Sequence, residues 1–553
     1  MTRRVAVVGA SAAGLRCAAR LHRLEPEWKI TVLERNTVYS YAACGLPYVL
    51  SGDIDSLVEL RSTAWGTVRD RRFFRSVKGV EILEGHRVVS IDPEAHTLEA
   101  EGPDGAVQIG WDELVLATGA RPRRLPGQPD HPRVRCFHTW DDVVPLKDGL
   151  IRGEIGRVAV VGAGLVGIEL AEAFRTLWGA EVALIEAAAH PLPQLLDPEV
   201  AALVGAELAR QGVVLRCGTP VEGIEAGDGG VVVRCAGAAV EADAVVVAIG
   251  VEPEVRLARS AGIALGRTGA IAVDRHLATS VPHVWAAGDC IEIRHAVTGE
   301  PVHCPLGSLA NRQGRVLAGI LAGRGGRFPD VAGAMAVKVF ERTVAAAGCT
   351  LTAARAAGFE AEAVWMTTDD RAHYWPESED LHLELVFDRG TLQLLGIQAF
   401  GSGRAVDAVD VASQLLARGV PVDELGEIEH CYAPPFAPAL APVAVAAFVA
   451  RNHAEGVRAM GPLDDPGADR VLDVRLAAER DARPWTSTET VHIPVEELGG
   501  RLAELDRSAR WLVLCERGTR AAEAVRMLRA RGIAARYLGG GMIWRQMALG
   551  GGR

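Results

Sequence analysis

Arg157-Val158-Ala159-Val160-Val161-Gly162-Ala163-Gly164-Leu165-Val166-Gly167 reads as a buried parallel strand running into a glycine-rich turn and a helix. The helix continues to about Trp178. A second strand, Glu181 to Ile185, ends at Glu186. Each part of this unit has a physical task. Gly162 and Gly164 permit a tight turn and let the backbone approach a pyrophosphate. Gly167 lets the helix pack on the strand, and the helix N-terminus favours an anion. Glu186 is placed to hydrogen-bond a ribose 2′-hydroxyl. Residues 187–190 are Ala-Ala-Ala-His, with no arginine to meet a 2′-phosphate. The unit is therefore predicted to bind NADH in preference to NADPH.

The same plan stands at the start of the chain. Val5-Ala6-Val7-Val8 leads into Gly9-Ala10-Ser11-Ala12-Ala13-Gly14 and a helix to about Leu24, and the strand from Lys29 to Leu33 ends at Glu34 and Arg35. Ser11 takes the place of the middle glycine. Three further strand-and-turn pieces follow: Leu116-Ala117-Thr118-Gly119, Val247-Ala248-Ile249-Gly250 and Ala286-Ala287-Gly288-Asp289. Their order predicts one nucleotide domain interrupted by another. The first site suits FAD, with Asp289 at a strand end reaching the ribityl or pyrophosphate region. The predicted division is an FAD domain in two parts, 1–120 and 251–328, around an NADH domain, 121–250. An α+β interface domain, 329–455, a linker, 456–466, and a compact α/β unit, 467–553, follow. Within these, Ala433 to Pro442 reads as extended and Met460 to Gly467 as linker.

The bulk numbers narrow the classes. The 553 residues suggest three or four domains, and 49% hydrophobic residues supply several cores. A net charge of −11 disfavours nucleic acids and anionic membranes as partners. No run of about 18 apolar residues suggests a membrane span, and no signal-type segment precedes the first strand. The ten cysteines are scattered singly, without metal-ligand spacing, and point to a reduced, cytoplasmic setting.

Two of these cysteines carry chemistry. Cys44 lies in Ser40-Tyr41-Ala42-Ala43-Cys44-Gly45-Leu46-Pro47-Tyr48 and has no second cysteine spaced for an internal redox disulfide. Its redox partner must be a substrate sulfur, or its oxidised form a sulfenic acid. It needs a thiolate, which a flavin, a phenol or a helix N-terminus would favour. Cys515-Glu516-Arg517-Gly518-Thr519-Arg520 follows an apolar strand and precedes a helix. Such a turn makes a nest of N–H groups around a sulfur anion, with Arg520 adding charge. Arg20, His22 and Arg23, with Arg69, Arg71, Arg72 and Arg75, form two basic clusters that could hold a phosphorylated thiol carrier.

Taken together, these residues resemble the single-cysteine branch of the pyridine nucleotide–disulfide oxidoreductases. The nearest likeness is to coenzyme A disulfide reductases and NADH-dependent persulfide reductases that carry a C-terminal rhodanese domain. The Cys44 loop, Ala117-Thr118-Gly119, Ala287-Gly288-Asp289, Pro305-Leu306, Asn311-Arg312-Gln313-Gly314, Tyr432-Ala433-Pro434-Pro435, Leu472-Asp473-Val474-Arg475 and the Cys515 loop carry it. The resemblance implies a homodimer with FAD and NADH. Cys44 would be the nucleophile facing the flavin, and Tyr432 of the other subunit would act as acid or orient the sulfur. Tyr374 falls where the family has a Tyr-Tyr-Pro run, although the second aromatic here is Trp375. Arg20, Arg23, Ser40, Ala43 and Arg72 match positions around coenzyme A, as bound ligand or substrate. Cys515 would carry a persulfide beside Arg520. Ala43 replaces a usual Asn, Tyr41 a usual Phe, and Leu440 a Lys of some relatives. Only His492-Ile493-Pro494 remains of the rhodanese Gly-His-Ile-Pro-Gly-Ala run.

The implied reaction is NADH-driven reduction of a small-molecule persulfide or polysulfide, with coenzyme A disulfide reduction as the alternative. Two other readings stay open: an NADH oxidase, and a protein acting mainly as a sulfurtransferase or sulfur carrier.

Overall fold

A computed structural model of the chain describes residues 2–486 and 489–550. Packing divides it into two compact units. The first comprises Met1–Ile185, Val221–His295 and Gly299–Val331, and the second Glu186–Pro220, Ala296–Thr298 and Ala332–Arg553.

The first unit is built on two parallel sheets. In one, the strand order is Val284–Ala286, Glu113–Leu116, Arg4–Val8, Lys29–Glu34, Glu81–Glu84. Its strands come from both sides of residues 121–250 in sequence. The other contains Glu181–Ile185, Arg157–Val161, Ala244–Val247 and Val134–Cys136, again all parallel. The valine-rich runs form these central strands because both faces are covered, and Val7, Val115, Val160 and Val246 are fully buried. Helices Ala12–Leu24 and Gly307–Leu321 pack against each other so closely that a side chain on Gly314 would strike the Ala13 carbonyl.

The second unit joins an antiparallel sheet to a parallel one. The antiparallel order is Met335–Val339, Arg342–Gly348, Leu394–Gly401, Asp380–Asp388, Ala361–Asp369. Helices Ala405–Leu416 and Pro442–Ala454 accompany it. The parallel order is Ala459–Met460, Ala535–Leu538, Trp511–Leu514, Arg470–Asp473, Thr490–His492. The predicted class, two nucleotide-type α/β folds with an α+β part and a terminal α/β part, matches this architecture.

Two boundaries differ from expectation. Met460, predicted in a linker, is strand residue at the edge of the terminal sheet, paired with Leu538. The predicted linker 456–466 therefore gives backbone to the terminal sheet instead of hanging free. Pro442 opens a helix, where its fixed φ and missing N–H cost nothing; before it the chain turns at 434–436, where Phe436 N–H donates to the Ala433 carbonyl, and bends at 439–440, so the stretch expected to be extended is interrupted by turns. Among the described residues, no helix is long and apolar enough to cross a membrane.

Candidate active site

In the N-terminal loop Gly9 has φ +111°, and a side chain there would strike the Ala117 carbonyl; one on Gly14 would strike the Gly9 carbonyl. Strand, turn and helix are thus in near contact through backbone alone. Ser11, the residue before the helix, makes no side-chain cap, so its side chain leaves the first N–H groups of the helix uncapped. Glu34 accepts Ala10 N–H at 2.9 Å and Asn36 N–H at 2.9 Å, and a carboxylate has further lone pairs for a ribose hydroxyl. Arg35 beside it is exposed. Thr118 donates its hydroxyl to the Glu254 carbonyl at 2.6 Å, and Gly119 turns at φ +71°. Gly288 N–H donates to Gln313 at 2.6 Å, which fixes the turn before Asp289. Burial pushes the Asp289 carboxyl up, and His303 and His138 oppose the shift. An uncapped helix end, a ribose-type acid and a glycine turn in one unit fit the dinucleotide half of FAD.

The second loop repeats the geometry. Gly162 has φ +104° against the Ala248 backbone, and a side chain on Gly167 would strike the Gly162 carbonyl. Nothing lies within 4 Å of where a Gly164 side chain would go, so that glycine leaves room for a ligand. Gly164 is also an uncapped helix start. Gly250 turns at φ +93°. Glu186, the first residue of the other unit, accepts Ala188 N–H at 2.9 Å.

Cys44 lies in a single 3-10 turn, Ala43–Gly45, that runs into helix Leu46–Leu50. The residue is exposed, as is Ala43. A Cβ on Gly307 would sit 4.0 Å from its sulfur, which places the thiol at the start of helix Gly307–Leu321. Ser40, four residues earlier, holds a left-handed φ of +57° and donates its N–H to the Ala10 carbonyl at 3.1 Å. The protein's own groups do not lower the thiol pKa as expected. Loss of solvent around the sulfur pushes it up, and the Glu169 and Asp289 carboxylates add to the effect. One candidate phenol of the loop, Tyr48, is committed: it donates to Glu169 at 3.1 Å. Burial in turn pushes Glu169 up to about 7.

Sequence reasoning missed Glu169, and it also missed part of the basic cluster. Arg20 packs near Arg315 and Arg23, and burial with these like charges lowers its pKa. Arg69 is lowered by burial, Arg61 and Arg16. The Nε atoms of Arg20 and Arg61 are buried without a hydrogen-bond partner among the described residues. Buried guanidinium atoms with no partner suit a phosphate-bearing ligand. Arg23 and Arg72 are exposed, Arg72 on helix Arg71–Lys78. Arg315 follows directly on the quoted Gln313-Gly314 motif, but nothing in its spacing marks it.

In the second unit Tyr374 and Tyr432 are exposed and hydrogen-bonded to each other, which raises the Tyr374 pKa. Two residues 58 positions apart by number are thus one pair, held where Ala372 N–H donates to the Pro434 carbonyl at 3.3 Å. Cys515 is buried, and its sulfur accepts N–H groups from Gly518 at 3.1 Å and Ala521 at 3.3 Å. Burial pushes this thiol up, against the N–H groups of Ala521, Arg517 and Gly518 and the Arg520 charge. The predicted nest is present, but Arg520 is not a free cation. Glu479 takes it in a two-pronged ion pair at 2.9 and 2.7 Å, so much of its charge is spent there. Arg475, fully buried, ties Asp473 to Glu516 at 2.7 and 2.8 Å and holds the loop from beneath.

Comparison with known proteins sets these sites in a family. Residues 3–305 match the pyridine nucleotide-disulphide oxidoreductase model, and residues 334–444 match the dimerisation domain of the same enzymes. An NAD(P)H sulfur oxidoreductase (CoA-dependent) from Pyrococcus abyssi is 32% identical over 447 residues, 80% of this chain and 97% of that protein. A solved NAD-dependent persulfide reductase from A. fulgidus superposes with TM-score 0.94 at 35% identity, covering 98% of this chain and 99% of its own. A Bacillus anthracis protein, CoADR-RHD, gives TM-score 0.93 at 29% identity over 99% of this chain and 98% of its own.

Proposed function

Because this chain belongs to the pyridine nucleotide-disulphide oxidoreductases, enzymes that use FAD and NAD(P)H, we propose that it is an NADH-dependent persulfide reductase working on a coenzyme A-type thiol. The observation that carries the proposal is a pair of unlike sulfur centres. Cys44 is a lone, exposed thiol with no partner cysteine, whereas Cys515 is a buried sulfur in a nest of N–H donors. A chain with both is equipped to take up sulfane sulfur at one and reduce it at the other.

In this reading the Cys44 thiolate attacks the outer sulfur of R–S–SH. The bond to R–S breaks, RSH leaves with a proton, and Cys44 holds –S–SH. FAD would be held by the Gly9–Gly14 turn, Glu34 and the turn before Asp289, and would supply the two electrons of NADH that cleave this S–S bond. Cys44 then gives up the outer sulfur as sulfide and returns to the thiolate. The sum is NADH, a proton and R–S–SH giving NAD⁺, RSH and H₂S. The arginines around Arg20 and Arg61, whose Nε atoms lack a hydrogen-bond partner among the described residues, hold the phosphates of the carrier. The Tyr374–Tyr432 pair of one subunit of a homodimer supplies or orients the proton at Cys44 of the other. Cys515 is the sulfane carrier of a rhodanese-type domain, and the tether raises its effective concentration.

Coenzyme A disulfide reduction is the second reading, favoured by the same arginines, since it needs Cys44 and the carrier site but not Cys515. Anaerobic NADH oxidation with coenzyme A persulfide and coenzyme A disulfide in parallel, read with a sulfide electrode, separates the two. Fast turnover with sulfide release that disappears in Cys44→Ser is the expected result. Preference for the disulfide selects the second reading. NADH consumption in air alone would sink both.

A further inference from the structure

Arg517 stands two residues beyond Cys515, and its backbone N–H is among the groups that stabilise the Cys515 thiolate. Its side chain leaves the sulfur loop. One Nη meets Asp369 at 2.7 Å and the other meets Asp380 at 2.7 Å. These aspartates are direct cross-strand partners where strands Ala361–Asp369 and Asp380–Asp388 begin to part. Like charges in that position repel. A planar guanidinium between them answers both at once, which an ammonium on a flexible stem does less well.

The loop between Asp369 and Asp380 carries Tyr374, the residue hydrogen-bonded to Tyr432. Its inner turn closes on itself. Asp370 accepts Glu379 N–H at 3.0 Å and the Ser402 hydroxyl at 3.0 Å. Arg342 pairs with Glu379 at 2.5 Å. Arg517 is the tie that comes from the sulfur loop. The neighbouring Glu516 is held separately, by Arg475 and Arg483 at 2.8 and 2.5 Å, so the two ties act on adjacent residues in different directions.

We propose that Arg517 is a positioning residue shared by two centres: its backbone helps hold the Cys515 sulfur, and its side chain closes the hairpin that presents the Tyr374–Tyr432 pair. Shape at the sulfur loop and shape at the tyrosine pair are then set by one residue. The kinetic meaning rests on the reading of Cys515 and the tyrosines given above, but the coupling itself does not.

The test uses the full-length flavoprotein and two readouts. One is the alkaline ultraviolet titration of Tyr374, isolated by subtracting a Tyr374→Phe variant. The other is thiosulfate:cyanide sulfurtransfer. Arg517→Met should bring the Tyr374 titration down toward that of free tyrosine and cut sulfurtransfer about tenfold, the ratio for one lost charge-assisted contact. Adding Asp369→Asn and Asp380→Asn to that variant removes the repulsion. It should restore the tyrosine titration and leave sulfurtransfer low. An unchanged Tyr374 titration in Arg517→Met overturns the proposal, and so does a titration that the two asparagines fail to restore. Should Arg517→Met not fold, the Asp369→Asn/Asp380→Asn pair alone strips Arg517 of its anchors; sulfurtransfer at the parent rate would then overturn it. Failure of the persulfide reading is separate. It appears as a parent enzyme that releases no sulfide from coenzyme A persulfide, whatever the tyrosine titration does.

Discussion

At the scale of single residues, Cys44 is set against two carboxylates. Glu169 and Asp289 both oppose its thiolate, and loss of solvent around the sulfur does so more strongly. Glu169 itself titrates near 7, so its charge is present above that pH and absent below. Glu169→Gln should therefore shift the pH profile of Cys44 alkylation to lower pH. Variant and parent should converge below pH 7 and diverge above it, with the variant faster. Peptide mass spectrometry after timed iodoacetamide treatment reads this directly and distinguishes Cys44 from exposed Cys431. Equal rates at pH 8 would show that the Glu169 charge does not reach the sulfur. Cys44 was legible in the sequence as a lone thiol in a specific run. Its surroundings were not, because Glu169 enters from a helix of the second nucleotide fold, far along the chain. The left-handed φ of Ser40 left no mark either, since serine seldom adopts it.

At the scale of elements, strand Asp380–Asp388 and helix Pro198–Arg210 share an acidic core. Glu384 is fully buried, and neither of its oxygens has a hydrogen-bond partner with good geometry among the described residues. Burial, then Asp197 and Glu199, push it well above the ordinary range. Burial also takes Glu199 to about 7. Both folded pKa values lie above the unfolded ones. The stability these groups contribute is complete below about pH 4.5 and is lost as pH rises through 7 and beyond. Glu384→Gln removes the costliest charge. It should raise Tm at pH 8 by roughly 2–4 °C for each kcal/mol recovered, and change it little at pH 5. Calorimetry at the two pH values decides the matter; an equal shift at both would point to packing instead of charge. Elements of this kind also show what sequence could reveal. Glycine turns and valine runs announce parallel strands because local sterics and two-sided burial dictate them. Ala459–Met460 did not announce itself, because its partner Leu538 lies far along the chain and its own composition is that of a turn. The Tyr374–Tyr432 pair is likewise a product of tertiary placement.

At the scale of the whole molecule, the question is whether the terminal α/β part is an accessory or a structural member of the second unit. The Pyrococcus abyssi relative aligns over 97% of its own length with 80% of this chain, and the two family models match residues 3–305 and 334–444 and so stop short of the terminal α/β part. This chain has nonetheless built against it. Thr367 donates to the Gly540 carbonyl at 2.7 Å, Gly540 N–H donates to the Trp365 carbonyl at 3.0 Å, and Arg458 pairs with Glu362 at 2.9 Å. The Trp544 ring meets His382 edge-on at 5.2 Å, and its N–H donates to the Glu199 carbonyl at 3.1 Å. Burial at this junction keeps His382 neutral, with its pKa lowered to about 3. A chain ending at residue 456 would bare Trp365, Thr367 and His382 to water. Such a chain should keep NADH-dependent reduction of coenzyme A disulfide, lose thiosulfate:cyanide sulfurtransfer, and melt several degrees lower with new binding of a hydrophobic dye. Full-length Cys515→Ser provides the contrast: sulfurtransfer gone, Tm and dye binding unchanged. If the shortened chain melts with the parent, the terminal part is a passenger on the reductase. If it melts early while still oxidising NADH, the terminal part and the antiparallel sheet of the second unit share one folded body, and the hydrogen bonds to Gly540 with the Arg517 bridge are what make it one.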